Sequence, residues 1–380
     1  MKCVSSCLNK LKRQLHSNER NELRVATNEE LQQIEKELSI SIQKENNPIL
    51  LIETEREIVQ KIRRKTIEHN RNNITRTDAY LNFYKAHPEV HWTFLAHMVS
   101  RNAGWNMTDL KGDMVGELIP DSTKKNFFNF LERANALIFH DVYPQLLLYE
   151  YSKKHRKSYF HLLKIFNVSL FMKPIWEMFL KMKNSKLLTV ALIINEQNYI
   201  EARVINHPSF IEILDSIQFK LQDLLGFSVV VFPYNRKTFY RKTQRLLAGI
   251  TVRNFQSLPE RILIGKKLYS ILFQDKKIFN GVTDFAFSRY HTGSREDYWA
   301  HIFSSNHLQK GESIIYSPTL EEVWPDIEHQ FVDKKDWFSS FAHLNQLQNI
   351  PVIKDSDITD DYIENLLKIY SIESIKNLII

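Results

Sequence analysis

Glycine is scarce in this chain. Nine of 380 residues are glycine, roughly a third of the usual ~7% share. Nucleotide-binding α/β folds and most β-barrels need glycine at phosphate loops and tight turns. The shortage argues against both and favours helices. Cysteine is scarcer: Cys3 and Cys7 are the two present. A disulfide framework needs cysteines spread through the fold, and a structural zinc site needs four ligands. Cys-x3-Cys near one end supplies neither, and its position speaks against a cysteine nucleophile. A positively charged start followed by an apolar stretch, the mark of a secretory leader, is missing. No run approaches the ~18 apolar residues of a membrane span. The best candidates, 187–194 and 169–180, are broken by Thr189 and by Lys173, Pro174 and Glu177. These lacks lead us to expect a soluble cytoplasmic protein.

Familiar catalytic signatures are missing too. G-x-G-x-x-G, H-E-x-x-H and G-x-S-x-G do not occur. Gly265-Lys266 fails as a phosphate loop, because Lys267 follows and Glu260 stands where the first glycine belongs. Asp355–Glu364 imitates a calcium loop, but Asp360 replaces the obligatory glycine and Leu366 the terminal glutamate. Its carboxylates read as helix caps.

What is present reads as helix. Apolar residues make up 43% and charged residues 25%, enough to bury a core. The net charge of +7 permits contact with nucleic acid or anionic lipid without requiring it. Thr27 with Glu30 forms a capping box opening a helix to about Gln43. Ile52, Glu55, Ile58/Val59 and Ile62 recur at helical spacing. Thr77-Asp78 suggests the next helix start. Pro88 suits the first turn of another, running to about Asn102 and stopping near Gly104. Further helices are expected near Asp121 and over 142–155, 158–166 and 172–184. Segment 187–205 reads as a helix in preference to a hairpin of 187–194 with 199–205. Pro208 begins another, with Ile211, Leu214, Ile217 and Leu221 on one stripe and Gly226 as its cap. The best strand is 227–232. Helices resume over 237–248 and 259–274; loops with short helices follow from 280 to 330, then helices over 333–345 and 357–380. The expected organisation is a loosely ordered basic arm (1–25), a helical body (26–275), and a loop-rich region with C-terminal helices packed on the body (276–380). The fold class is mainly α, a multi-helix bundle with at most a small β element.

Four clusters carry chemistry worth testing. On the helix after Pro88, His97 and Arg101 share one side and Trp92, Leu95 and Val99 the other. A buried arginine needs a carboxylate or carbonyl; His97 can act as ligand or base, or be a satisfied core histidine. Glu196, Asn198 and Glu201 follow an almost wholly apolar run, and inward carboxylates can do acid–base work. Their spacing is not that of a di-iron bundle, so no metal is expected. His291 and Arg295, with Gly293 and Ser294 between them, can form an anion pocket or a capped turn. Arg236, Lys237, Arg241, Lys242 and Arg245 are interleaved with Phe239 and Tyr240, as in nucleic-acid-binding segments or solvated helix faces. A sister run occupies 153–160. His140-Asp141 with Glu150 has no recognisable ligand spacing.

Residues 96–112 (Ala96-His97-Met98 through Lys111-Gly112), 194–201 (Ile194 through Glu201) and His291-Thr292-Gly293-Ser294-Arg295 together resemble the YppC-like proteins of bacilli, an uncharacterised family, over about residues 55–345. The resemblance implies a bacterial cytoplasmic protein and no particular chemistry.

Three functions follow as expectations. The simplest is a helical interaction or scaffold protein whose polar clusters are internal networks. The second is an enzyme or small-anion or metal-binding protein with a pocket from His97, Arg101, Glu196, Glu201, His291 and Arg295. In it Glu196 or Glu201 is the base, and Arg101, Asn198, His291 and Arg295 hold the ligand. It requires three distant segments to meet. The third is nucleic-acid binding through 234–245. Cofactor and partner are left unspecified by the sequence.

Overall fold

The computed structural model describes residues 22–43, 49–114, 119–208, 210–211, 229–237, 243–252, 255–307 and 314–368. It is mainly α-helical, with three small strand pairs among the described residues. Elements run in the order β1 (Glu22–Arg24), α1 (Asn28–Gln43), α2 (Glu53–His69), α3 (Asn73–Ala86), α4 (His91–Asp109), α5 (Asp121–His155), α6 (Met172–Met182) and α7 (Ser185–Ile200). A π-helical turn, Glu201–Ile205, extends α7. After β2 (Val229–Lys237) and β3 (Thr243–Thr251) come α8 (Leu258–Gln274), α9 (Lys276–Ser288), α10 (Glu296–Trp299), β4 (Phe303–Ser304), β5 (Ile315–Tyr316), α11 (Leu320–Val323) and β6 (Asn349–Pro351). Helical turns occupy 359–368.

The helix starts follow from local chemistry. Glu30 N–H donates to Thr27 Oγ1 at 3.1 Å, and Thr27 N–H to Glu30 Oε2 at 2.7 Å, so the expected capping box closes. α3 begins earlier than Thr77, because Asn72 Oδ1 accepts from Thr75 N–H at 3.0 Å and caps the helix there. Helix α4 passes through Gly104 and does not stop there. A Cβ at that position would overlap Asn73 Oδ1 and His291 Nε2, so the glycine allows close packing and is no terminator. α5 runs unbroken across Pro144. α7 is a helix as expected, and residues 187–195 are buried on all sides.

Two expectations are corrected. Segment 237–248 is not helical. β2 and β3 pair antiparallel from Val229↔Thr251 to Lys237↔Thr243, so the strand read as 227–232 continues through Pro233 and acquires a partner. Leu247 and Ala248 are buried in that pairing, and Gly249 lets the Val230 carbonyl approach too closely for any Cβ. Residues 333–340 are irregular and extended; a 3₁₀ segment, Phe341–Leu347, replaces the helix. The proposed helix over 208–226 lies almost wholly outside the described residues.

A cluster of buried apolar side chains extends from Val25 to Leu366 and includes Trp92, Trp105 and Trp176. β1 pairs antiparallel with β6, Leu23 opposite Ile350, and Val25 N–H donates to the Gln348 carbonyl at 2.8 Å. Within the arm, 22–24 is therefore a strand; 1–21 lie outside the described residues. No helix among the described residues is long and apolar enough to cross a membrane.

Candidate functional site

Helix α4 is buried nearly all round. One side meets the loop before α10. There His97, Arg101, His291 and Arg295, all buried, join a continuous polar network. Arg101 Nε donates to His97 Nε2 at 3.1 Å, so the proton sits on Nδ1, which donates to the Thr77 carbonyl at 2.8 Å. Burial, reinforced by the Arg101 charge, pushes the His97 imidazole well below its ordinary range and keeps it neutral. Arg101 also donates to the Arg289 carbonyl and lies 4.9 Å from the Phe285 ring centroid.

His291 Nε2 lies 2.8 Å from Asn73 Oδ1 and its Nδ1 3.3 Å from Asp297 Oδ2. Asn73 Nδ2 donates to the Ser100 carbonyl at 2.9 Å and to its Oγ at 3.1 Å, and Ser100 Oγ meets Thr77 Oγ1 at 2.7 Å. Asp297 accepts from Thr292 N–H and Oγ1 and from Trp105 Nε1. Burial lowers the His291 imidazole, against the pull of Asp297. Arg295 Nε and Nη2 grip Asp109 at 2.6–2.9 Å; Nη1 donates to the Tyr298 hydroxyl at 2.7 Å and to Tyr362. Gly293, at φ +84°, lets this loop turn over Thr108 and Leu320. An arginine matched bidentately to a buried carboxylate is not available to an incoming anion. Geometrically this side of α4 is a clasp.

The opposite side of α4 faces a cavity of about 170 Å³ between α4, α7 and α8. Most of the lining is apolar: Leu95, Val99, Ile138, Ile193, Ile264 and Leu268 contribute. Among its polar lining residues is Glu196, on α7, which stays partly exposed. Its Oε2 accepts from Trp92 Nε1 and its Oε1 from Gln197 Nε2, each at 3.2 Å. Burial, with the nearby Asp141 charge adding to it, pushes its carboxyl up to about 8. Tyr80, another lining residue, has no hydrogen-bond partner for its hydroxyl among the described residues, and burial and the charges of Glu196 and Asp141 raise it. Arg261 also lines the cavity but makes four hydrogen bonds elsewhere, to Gln197 Oε1, the Phe255 and Gln256 carbonyls, and Glu201.

The six-residue pocket therefore divides. His97, Arg101, His291 and Arg295 come together in the clasp; Glu196 lies across α4 in the cavity; Glu201 sits at the π turn, paired with Arg261. Asn198 donates to the carbonyl one turn back, at 2.8 Å from Ile194 O. In the basic segment, Arg236 is exposed. Arg245 points inward, its Nη1 on the Tyr298 carbonyl at 3.2 Å. Lys237 is the last residue of β2, and Arg241 and Lys242 lie outside the described residues. Tyr80 is a contribution outside the candidates read from sequence, and no local pattern marks it; Gln197 lies within the segment 194–201 singled out there. Asp141, dismissed for want of ligand spacing, is buried with one carboxyl oxygen unpartnered. Asn195 donates to its other oxygen at 2.5 Å, and burial pushes it up to about 7. Among the described residues no group of three His, Cys, Asp or Glu side chains could hold a metal ion.

The family model described as "Protein of unknown function (DUF2515)" matches residues 68–361. The chain is 39% identical over 323 residues to "Uncharacterized protein YppC" of Bacillus subtilis (strain 168), covering 84% of this chain and 96% of that protein. No solved structure matches the chain.

Proposed function

The chain belongs to the DUF2515 family of proteins of unknown function, and from that premise we propose that it is a small-molecule binding protein acting through the Glu196 cavity. The observation that carries this reading is a mostly apolar cavity on which one carboxyl group and one phenol open, its lining cation Arg261 being bonded to Glu201, Gln197 and two backbone carbonyls. Apolar pockets with a few converging polar groups are the usual form of ligand sites. A volume of about 170 Å³ is close to that of the engineered ~150 Å³ cavity that accepts benzene, so the occupant is of one-ring size. A carboxyl poised near neutrality can also pass a proton to a bound molecule. That ties an enzymatic version of this reading to Glu196, not Glu201, whose carboxylate is engaged by Arg261.

A thermal-shift and ligand-observed NMR screen of one-ring molecules tests the reading. Saturable binding to the native chain, abolished in a folded Ala96→Leu variant that fills the cavity, supports it. Absence of any saturable binding from the whole set overturns it. The same reading keeps the expected cytoplasmic location, motivated by two cysteines confined to positions 3 and 7; recovery in a membrane or secreted fraction would contradict it.

A further inference from the structure

Resting on the binding reading above, we infer that the cavity takes a small organic monocation, a primary or methylated ammonium on an apolar body of about one ring. Three aromatic side chains, Tyr80, Trp92 and Phe255, line it. The rings of Tyr80 and Trp92 meet at 88° with centroids 5.4 Å apart, forming a corner. Ring faces attract a cation within about 6 Å, and Trp is the strongest of the three ring types. The carboxyl group of Glu196 completes the wall. It accepts two hydrogen bonds, whereas a carboxylate offers about four lone-pair sites, so capacity remains for an N–H donor of the ligand.

The charge pattern selects the same class. Glu196 and Arg261 are the lining residues of formal charge. Arg261 is turned to Glu201, Gln197 and two backbone carbonyls, and so does not neutralise Glu196. The titratable and charged groups around Glu196 are Asp141, Tyr80 and Arg261. The first two contribute oxygen atoms. An anion would face Glu196 and the Asp141 field behind it, which opposes the anion pocket expected from the sequence. A neutral guest would leave Glu196 a carboxylic acid and form no ion pair with it. An ammonium supplies the missing charge and turns the carboxylic acid into a carboxylate, with one proton released to solvent.

Isothermal calorimetry on the full chain near neutral pH tests this with three one-ring probes: benzylamine, benzyl alcohol and benzoate. Benzylamine is expected to bind roughly tenfold or more tightly than benzyl alcohol, with benzoate weakest. Titration in two buffers of different ionisation enthalpy should show a proton leaving the protein when benzylamine binds and none when benzyl alcohol binds. In Glu196→Gln the preference for benzylamine over benzyl alcohol should disappear. Equal binding of benzylamine and benzyl alcohol to the native chain overturns the cation inference and leaves the cavity reading standing, as does tightest binding of benzoate. Binding of none of the three probes overturns the cation inference, and the wider one-ring screen then decides the cavity reading separately. Should Glu196→Gln fail to fold, the ratio of benzylamine to benzyl alcohol affinity on the native chain decides the matter, and a ratio near one sinks the inference.

Discussion

The two sides of α4 solve opposite problems with similar residue types. On the side of His97, Arg101 and Asp109, most polar groups meet partners fixed by geometry: Asp109 meets the two-pronged Arg295, the neutral His97 meets Arg101 and the Thr77 carbonyl, and Asp297 meets Thr292 and Trp105, while Arg101 Nη1 has no hydrogen-bond partner among the described residues. On the side of Trp92, Val99 and Ser100, space is left open and Glu196 faces it without a cation. Satisfied buried networks hold one structure. A buried acid without a counter-charge costs stability, and such groups concentrate where chemistry or binding occurs. The contrast teaches that burial of a polar group alone does not mark a site; open space beside it does.

Breaking the clasp should have the largest effect. Arg295→Met leaves Asp109 buried and unpaired, and a loss of about 3–5 kcal/mol is expected by denaturant unfolding. Gly104→Ala comes next. The added methyl collides with Asn73 and His291, and about 1–3 kcal/mol should be lost, with a matching fall in Tm. A Gly104→Ala protein as stable as the native one would show that the Asn73–His291 bond is dispensable.

The pH dependence sharpens the comparison, because Glu196 and His97 respond with opposite sign. Glu196 rises from 4.5 to about 8 on folding, so the folded state binds the extra proton. Its contribution is complete below the unfolded value and is lost as pH climbs through 8. His97 is depressed from 6.5; its contribution is intact above that value and is lost as pH falls below it. Glu196→Gln should flatten the alkaline limb of a stability–pH curve by about 1–2 kcal/mol, allowing for solvent in the cavity, and leave the acid limb alone. Asp141, raised to about 7, retains part of the alkaline slope. His97→Gln should flatten the acid limb instead. The smallest effect is expected away from both sides: Arg236→Ala, on an exposed residue, should change stability by no more than about 0.5 kcal/mol.

The helical class and most helix positions were legible in sequence because periodicity and caps are local. Thr27 and Glu30 announce α1 from three residues apart, and the buried run 187–195 announces α7. Helix α4 was legible as buried on both sides from the placement of His97 and Arg101 opposite Trp92. β3 was not, since its strand character depends on pairing Leu247 and Ala248 with β2. Nor was the division of the six candidate residues. His97 and Glu196 were grouped for their chemistry, but Asp109, which claims Arg295, lies 186 positions away in sequence. No local pattern states which carboxylate an arginine will find. Gly104 was misread for a related reason: a glycine that ends a helix and one that admits a neighbouring side chain look alike until the neighbour is known.

The pairing of β1 with β6 bears on how the chain is made. Residues 22–24 leave the ribosome well before their partner, 349–351, is translated. At ~5–20 residues per second the interval is on the order of tens of seconds. Throughout it the edge of β1 and the apolar side chains of Val25 and Ile34, both buried in the finished fold, lack part of their final cover. Translation of 349–351 therefore closes a strand pair opened much earlier, and a ribosome stalled before residue 349 would hold a chain recognisable to chaperones by its unpaired β1.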